Sequence, residues 1–178
     1  KAQLISHLCY CLAFCLGIFL LQAFPQIIYS PSHCQSYFPK MQKTTHLKQK
    51  IKELLSTLGH EVEDFGTHST ESCDYPDIAE PVAHAVVDGA ADRGILICGT
   101  GIGIGIAANK IAGVRAALCH DTFSAHASRE HNNANILTMG ERVIGPGLAK
   151  DIVTIWLNTE FEGGRHARRV EKISALEK

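Results

Sequence analysis

One stretch of the chain combines a cysteine with a glycine-rich loop, and it is where chemistry is most concentrated. Residues 94–97 are apolar or small, Cys98 follows them, and glycines then occupy every second position from 99 to 105. This order is typical of a buried parallel strand that presents a reactive side chain at its carboxyl end. Glycines let the backbone approach a ligand closely, and successive N–H groups can bind an anion. The stretch therefore predicts a thiol beside backbone donors, which suits chemistry that passes through an oxyanion.

Two known phosphate-binding loops are poor matches to this stretch. A P-loop needs a glycine directly before its lysine, and Lys110 lacks one. The dinucleotide fingerprint needs a glycine at 104 or 106, and both positions hold isoleucine. Nicotinamide binding stays an alternative because Asp121 lies near where a ribose-binding acid would be. A second alternative is that Cys98 is an ordinary buried cysteine and the glycines only form a turn.

Length and composition indicate one α/β domain with a substantial core. The chain has 178 residues and a formal net charge of −1, with no basic run, which argues against a nucleic-acid partner. It has seven cysteines but no Cys-x-x-Cys pair, so neither a zinc site nor a disulfide framework is indicated. We therefore expect no metal, no cofactor, and a reduced cytoplasmic protein.

The first part of the chain differs from the rest. We divide the chain into an atypical segment, residues 1–42, and a catalytic body, residues 43–178. Between Leu8 and Phe24 every residue except Gln22 is apolar or small. Three interpretations stay open for this segment: a secretory signal or membrane anchor, a misjoined exon of the gene, or part of the core. Only a genuine anchor would make a membrane one of the partners and change the cytoplasmic localisation.

Strands and helices alternate through the body, which predicts a parallel, doubly wound, Rossmann-like α/β sheet between two helical layers. Its site should lie at the carboxyl ends of the strands. We predict helices over 47–58, 75–87, 104–111, 122–131, 145–158 and 165–176, and strands over 61–66, 93–98, 114–119 and 135–139.

The first strand of such a sheet is hard to find in this sequence. The body begins on a helix, and residues 26–30 are the only candidate strand before it, short and flanked by prolines. We therefore predict that the first strand is missing or replaced. Residues 1–40 should not form a central strand, and residues 8–24 should form a peripheral helix.

Polar groups elsewhere in the body are further candidates. A base and an amide, His131 and Asn132, stand before the last predicted strand, and Arg142 follows that strand. Arg165 and Arg169 are four residues apart on one helix face, which suits a phosphate dianion because guanidinium groups bind its oxygens in pairs. The plainer interpretation is a solvated loop and a surface charge cluster.

Taken together, these segments resemble the family of type B ribose-5-phosphate isomerases and galactose-6-phosphate isomerases. The combination of Cys-Gly-Thr-Gly-Ile-Gly with Arg-Glu-His-Asn-Asn at this spacing is its most specific sign. The resemblance implies an aldose–ketose isomerase that interconverts ribose 5-phosphate and ribulose 5-phosphate through an enediolate. It extends roughly over residues 46–178, with matching stretches at 58–66, 74–77, 98–110, 114–121, 128–135 and 161–169.

The resemblance also implies a role for each candidate residue. Cys98 would move the proton between C1 and C2, with Thr100 among the donors to the enediolate. His131 would open the sugar ring, and Asn132 would stabilise the enediolate. The implied substrate-binding residues are Gly99, Gly101, Gly103, Tyr75, Arg142, Arg165 and Arg169.

The implied partners are a phosphorylated sugar and further copies of the chain. Members of the family share active sites between the subunits of a homodimer, or of a tetramer built from it. His131, Asn132 and Arg142 would accordingly serve the site of the partner chain.

The chain departs from the family at its first strand. That strand ends in Ser-Asp-His-Ala-Gly-Phe-Glu-Leu-Lys, whose Asp and His contact the substrate, and only Leu47 and Lys48 match. Met41 and Gln42 stand where Asp and His belong. The alternative function is therefore a catalytically impaired relative that binds sugar phosphates.

Overall fold

The computed structural model describes residues 27–31, 45–66 and 73–177. The peripheral helix predicted at 8–24, and the positions of Met41 and Gln42, lie outside these ranges. The strands are β1 (Ile27–Pro31), β2 (Val62–Glu63), β3 (Arg93–Cys98), β4 (Ala116–Leu118) and β5 (Ile136–Gly140). The helices are α1 (Thr45–Thr57), α2 (Pro76–Val87), α3 (Ile102–Ala108), α4 (Thr122–Glu130), α5 (Pro146–Asn158) and α6 (Arg165–Ser174).

The strands form one parallel sheet in the order β2-β1-β3-β5-β4, which confirms the predicted α/β class. β3 lies beside β5 with Gly94 opposite Ile136 and Cys98 opposite Gly140. The order of the strands reverses between β1 and β3. In open α/β sheets ligands bind outside the carboxyl ends of the strands at such a reversal, and Cys98 ends β3 there.

β1 contradicts one prediction. Residues 27–31 lie between β2 and β3, in register with residues 93–97 of β3, so the first 40 residues do contribute a central strand. The first strand is thus replaced rather than missing. The physical reason is that β3 is a buried strand, and its backbone N–H and C=O groups need hydrogen-bond partners on both sides. Ile27, Ile28 and Tyr29 are residue types that fit a pleated sheet, and Pro31 is the last residue of the strand, where its missing N–H matters least.

Two apolar layers hold the helices against the sheet. On one face α1 and α5 pack around Trp156, and on the other face α2 and α3 pack around Ile78 and Ile104. Each large apolar side chain buried in this way contributes about 1.5–3 kcal/mol. The layers fix the orientation of β3 and β5, and therefore of the loops at their carboxyl ends.

α6 packs least in the protomer. His166 is its only buried residue, while Ile173 and Leu176 near its end are exposed. Within the described ranges, no helix combines the length and the apolar character needed to cross a membrane.

Candidate active site

Cys98 is the last residue of β3, and its side chain is buried beside the glycine-rich loop. The backbone N–H of Gly101 donates a hydrogen bond to Cys98 Sγ at 3.1 Å. Gly101 has a φ of +76°, a conformation that residues with a Cβ rarely adopt. The turn thus aims a backbone donor at the sulfur, where it stabilises negative charge.

The loop packs against the end of β5 so closely that two glycines are required. A Cβ on Gly101 would lie 2.5 Å from Leu118 Cδ1 and 2.7 Å from the backbone carbon of Met139. A Cβ on Gly140 would lie 2.6 Å from the backbone carbon of Thr100. The backbone of the loop and the backbone of β5 thus lie in direct contact at Gly101 and Gly140. This contact fixes the position of Thr100.

Tyr75 and Arg142 lie over the same loop. A Cβ on Gly103 would be 2.7 Å from Tyr75 Cζ, and one on Gly99 would be 3.3 Å from Arg142 Cζ. The backbone N–H of Arg142 also donates to the carbonyl oxygen of Gly99 at 3.0 Å. Arg142 contacts the loop of its own chain, and its expected service to a partner chain stays a prediction.

Two further polar residues lie at this edge, and the sequence analysis assigned neither of them a role. Glu141 Oε1 accepts the N–H of Leu47 at 3.1 Å, and His120 Nε2 accepts the N–H of Gly140 at 3.2 Å. Burial raises the pKa of Glu141 to about 7, against the opposing effects of the Leu47 N–H and Arg142. Their sequence signal was available, since each follows the carboxyl end of a strand.

A second polar cluster lies around the end of α4. The rings of His131 and His166 stack with centroids 4.3 Å apart, and His131 Nε2 lies 3.0 Å from Glu130 Oε2. Arg165 Nε–H donates to His166 Nε2 at 3.2 Å. Arg169 lies one helical turn beyond Arg165. The structure thus places Arg165, one of the two arginines predicted to bind phosphate, beside His131 and His166. The phosphate-binding role of Arg165 and Arg169 stays a prediction.

Three residues of this cluster have the donor types of a metal site. Ligand atoms of His131, Glu162 and His166 all lie within 4.8 Å of one another. However, the Arg165 N–H is directed at the imidazole nitrogen of His166. The pKa of His166 is lowered by burial first and then by the charges of His131, Arg165 and Arg169, while Glu162 acts in the opposite direction. His166 Nε2 also lies 3.1 Å from Glu162 Oε2. The cluster thus holds the donor types of a cation site and, in Arg165 and Arg169, those of an anion site.

The two clusters lie at opposite ends of the sheet. Cys98 is level with Gly140, whereas the N–H of Gly94 donates to the carbonyl oxygen of Asn135, just beyond His131 and Asn132. Four residues of strand separate these levels, which is about 13 Å. The structure therefore brings Cys98, Tyr75, Arg142 and the loop together, and separately brings His131 together with His166 and Arg165. One protomer does not join the two groups.

Asp121 does not support the nicotinamide alternative. Its carboxylate caps α4, where Oδ1 accepts the Ser124 N–H at 2.7 Å and Oδ2 accepts the Ser124 hydroxyl. These bonds, that from the hydroxyl foremost, keep the pKa of Asp121 low. A carboxylate engaged in this way is poorly placed to bind a ribose.

Comparisons with known proteins agree with this geometry. The family model described as Ribose/Galactose Isomerase matches residues 41–173. Ribose-5-phosphate isomerase B of Escherichia coli is 55% identical over 131 residues, 74% of this chain and 88% of that protein. D-erythrulose-4-phosphate isomerase of Pectobacterium atrosepticum is 52% identical over 132 residues, 74% of this chain and 87% of that protein. The solved structure of Clostridium thermocellum ribose-5-phosphate isomerase B superposes with a TM-score of 0.76 at 52% identity, covering 84% of this chain and 96% of that one.

The matched range contains both polar clusters and every strand except β1. A doubly wound sheet with this loop, matched at these identities, defines an isomerase of sugar phosphates. More particularly, the chain belongs to the ribose/galactose isomerase family. The resemblance drawn from the sequence is confirmed.

Proposed function

We propose that the chain interconverts ribose 5-phosphate and ribulose 5-phosphate, with Cys98 as the base. The observation that carries the proposal is the position of Cys98 Sγ, at the end of β3 and within hydrogen-bond distance of the Gly101 N–H. The names of the relatives from E. coli and C. thermocellum support a pentose phosphate as the substrate.

The reaction follows from this placement. The thiolate of Cys98 takes the proton from C2 of the open-chain aldose, and the electron pair forms the C1–C2 double bond as the carbonyl becomes an oxyanion. A proton passes from O2 to O1, and the thiol returns its own proton to C1, so that a ketone forms at C2. Donors aimed at the developing oxyanion contribute about 3–4 kcal/mol each. We assign that role to Thr100 and to the backbone of Gly99, Gly101 and Gly103.

Residues of both clusters supply the remaining functions in this proposal. Arg165 and Arg169 bind the phosphate of the substrate, and Arg142 and Tyr75 contact the substrate beside the loop. His131 opens the sugar ring, while Asn132 stabilises the enediolate. Because each protomer holds the two clusters at opposite ends of its sheet, a complete site needs two copies of the chain.

The exposed surface around the loop supports a homodimer. Ile102 and Ile106 in α3 and Phe123 in the first turn of α4 are 51%, 59% and 80% exposed, on the two helices that begin at the edge that carries Cys98. Apolar residues grouped in this way mark an interaction surface, and α6, which buries only His166 in its own protomer, offers another. We propose a homodimer with shared active sites, in the cytoplasm, where Cys98 stays reduced. The division at residue 42 also stays a proposal.

Replacement of Cys98 tests the proposal directly. Cys98→Ala should lower kcat by about 10²-fold or more, because no other group supplies the proton transfer, while the dimer is kept. Cys119→Ala is the matched control: burial raises the pKa of Cys119 to about 11, so its thiol is no base at neutral pH. Ribulose formation is measured on all three proteins.

Two outcomes would count against the proposal. A Cys98→Ala variant with most of its turnover would show that another group is the base. A soluble wild-type dimer without turnover would favour the impaired relative, because the Asp-His pair of the family's first strand is replaced by Met41 and Gln42.

A further inference from the structure

The turn that joins α4 to β5 has an unusual backbone. Asn133 has a φ of +47°, the only positive φ of a non-glycine residue in the described part of the chain. Such a conformation costs about 1 kcal/mol or more and persists only where its surroundings hold it. It immediately follows His131 and Asn132, so the conformation of Asn133 sets how the chain leaves the end of α4 that carries these two residues.

Arg129 holds this turn from inside the protein. Its Nη1 donates to Asn133 Oδ1 at 2.9 Å and to the carbonyl oxygen of Ala134 at 2.7 Å. Its own carbonyl oxygen accepts the N–H of Asn133 at 3.1 Å. Arg115 adds a bond from the other side, since its Nε–H donates to the carbonyl oxygen of Asn133 at 3.0 Å. Three groups thus fix one residue.

The position of Arg129 is costly for a charged side chain. It is 2% exposed, its guanidinium lies 5.7 Å from the centre of the Trp156 ring, and its Nε has no hydrogen-bond partner among the described residues. Burial, followed by the charge of Arg93, lowers the pKa of Arg129 to about 10, and Arg115 acts in the same direction while Glu160 opposes it. Arg129 is still protonated at neutral pH.

A buried charge is unfavourable unless its hydrogen bonds compensate for the lost hydration. The bonds from Arg129 to the turn are therefore the contribution of this side chain to the structure. We propose that Arg129 is a positioning residue, which holds Asn133 in its left-handed conformation and thereby fixes His131 for ring opening. This inference rests on the proposed role of His131. Arg129 itself, buried beneath the turn, does not touch the substrate.

Two variants test the inference from different sides. Arg129→Lys keeps the charge but replaces the planar guanidinium, whose Nη1 bonds both acceptors, with an ammonium group on a shorter stem. Asn133→Gly removes the side-chain acceptor and lets the turn leave the left-handed conformation, since glycine is not confined to it. Each should lower kcat for ribose 5-phosphate by about tenfold or more, because small displacements of a catalytic group are expensive. The KM should change less than threefold. Asn133→Asp, which keeps the acceptor, should restore activity.

The decisive measurement repeats Arg129→Lys and Asn133→Gly in a His131→Ala background. If Arg129 acts through His131, the fold-loss in kcat caused by each change in the His131→Ala background should be less than a third of the fold-loss in the wild type. Equal fold-losses in both backgrounds would overturn the inference, as would a wild-type kcat in both single variants. Arg93→Lys is the control, since Arg93 belongs to the same arginine group but donates to Asp92 O rather than to the turn; its kcat should be unchanged.

These outcomes are separable from those of the proposed function. An active Cys98→Ala variant overturns the assignment of Cys98 as the base. The coupling between Arg129 and His131 is then decided by the measurements in the His131→Ala background. An inactive Cys98→Ala variant together with equal losses in the two backgrounds overturns only the inference on Arg129.

Discussion

Glu141 connects β3 and α1 to the end of β5, each through one hydrogen bond. Its backbone N–H donates to the carbonyl oxygen of Cys98 at 3.0 Å, and its carboxylate accepts the N–H of Leu47 in the first turn of α1. Arg142, which follows it, packs on Gly99. Because burial raises the pKa of Glu141 to about 7, the fold favours its neutral form, and the carboxyl changes charge near physiological pH.

The stability of the protein should therefore depend on this one carboxyl. The folded-state pKa is above the ordinary value of 4.5, so its contribution is fully present below pH 4.5 and is lost as pH rises through about 7. Glu141→Gln keeps an acceptor for the Leu47 N–H but stays neutral. Its Tm relative to wild type should rise from pH 5 to about pH 7 and then level off in thermal melts.

An exposed carboxylate provides the control for this pH series. Hydrogen bonds from Lys50 and Gln49 lower the pKa of Glu53, so Glu53→Gln should show no gain with rising pH. A constant Tm difference for Glu141→Gln across the same range would mean that the carboxyl is already charged in the folded protein.

At the scale of elements, the sequence predicted the strands and helices whose pattern is local. β3 was predicted with its observed bounds because residues 93–98 form an uninterrupted buried run, and α1 because its apolar residues recur at helical spacing. Residues 26–30 were named as a candidate strand, but the prediction that they are not central was wrong. The place of β1 depends on the free edge of β3, a tertiary requirement that three favourable residues between prolines do not reveal.

In the candidate site, too, the parts set by local sequence were predicted and the parts set by distant contacts were not. Cys98 and its loop follow from one continuous pattern, but the contacts of Glu141 and Arg129 depend on chain that is distant or on turn geometry. The separation of His131 from Cys98 could have been inferred, since His131 precedes a strand whereas Cys98 ends one. Strand direction alone places them at opposite edges.

The fit between the loop and β5 makes a prediction about one glycine. Gly140→Ala would place a Cβ against three backbone atoms of Thr100, which cannot move as a flexible side chain can. We expect a loss of about 1–3 kcal/mol in the free energy of unfolding and a lower kcat, because Thr100 is displaced. Urea denaturation and steady-state kinetics measure the two effects.

Gly147→Ala is the matched control for that substitution. A Cβ there meets nothing within 4 Å, and the residue lies in α5, where alanine is the better helix former. It should be neutral or slightly stabilising. If both variants lose the same stability and activity, the contact between Gly140 and Thr100 is not what holds the loop.

At the scale of the whole molecule, the important fact is that one protomer keeps Cys98 and His131 about 13 Å or more apart along the strands. In a two-fold symmetric dimer each site can take its loop from one chain and its histidine cluster from the other. Two differently damaged chains should then repair one another.

Mixing Cys98→Ala with His131→Ala tests this sharing. Each variant alone should be nearly inactive, but a heterodimer holds one site in which both residues are intact. After complete subunit exchange about half of the dimers are mixed, so activity should recover to about a quarter of the wild-type value. The recovered kcat is followed with time alongside heterodimer content by native mass spectrometry.

Mixing Cys98→Ala with Cys98→Ser is the control, because both changes lie in the same cluster and no intact site can form. Its activity should stay at the level of the single variants. Heterodimers of the first pair that form without any recovery would show that each chain completes its own site.

The distance between the two ends of the sheet also has a consequence for inheritance. In the proposed dimer with shared sites, a chain carrying both Cys98→Ala and His131→Ala would inactivate both sites of every dimer that it enters, since each site would receive one damaged half. When such a chain and the normal one are made in equal amounts, only dimers of two normal chains work, which is about a quarter of the total. An allele of this kind would be dominant, whereas an allele damaged at only one end of the sheet would leave one working site in each mixed dimer.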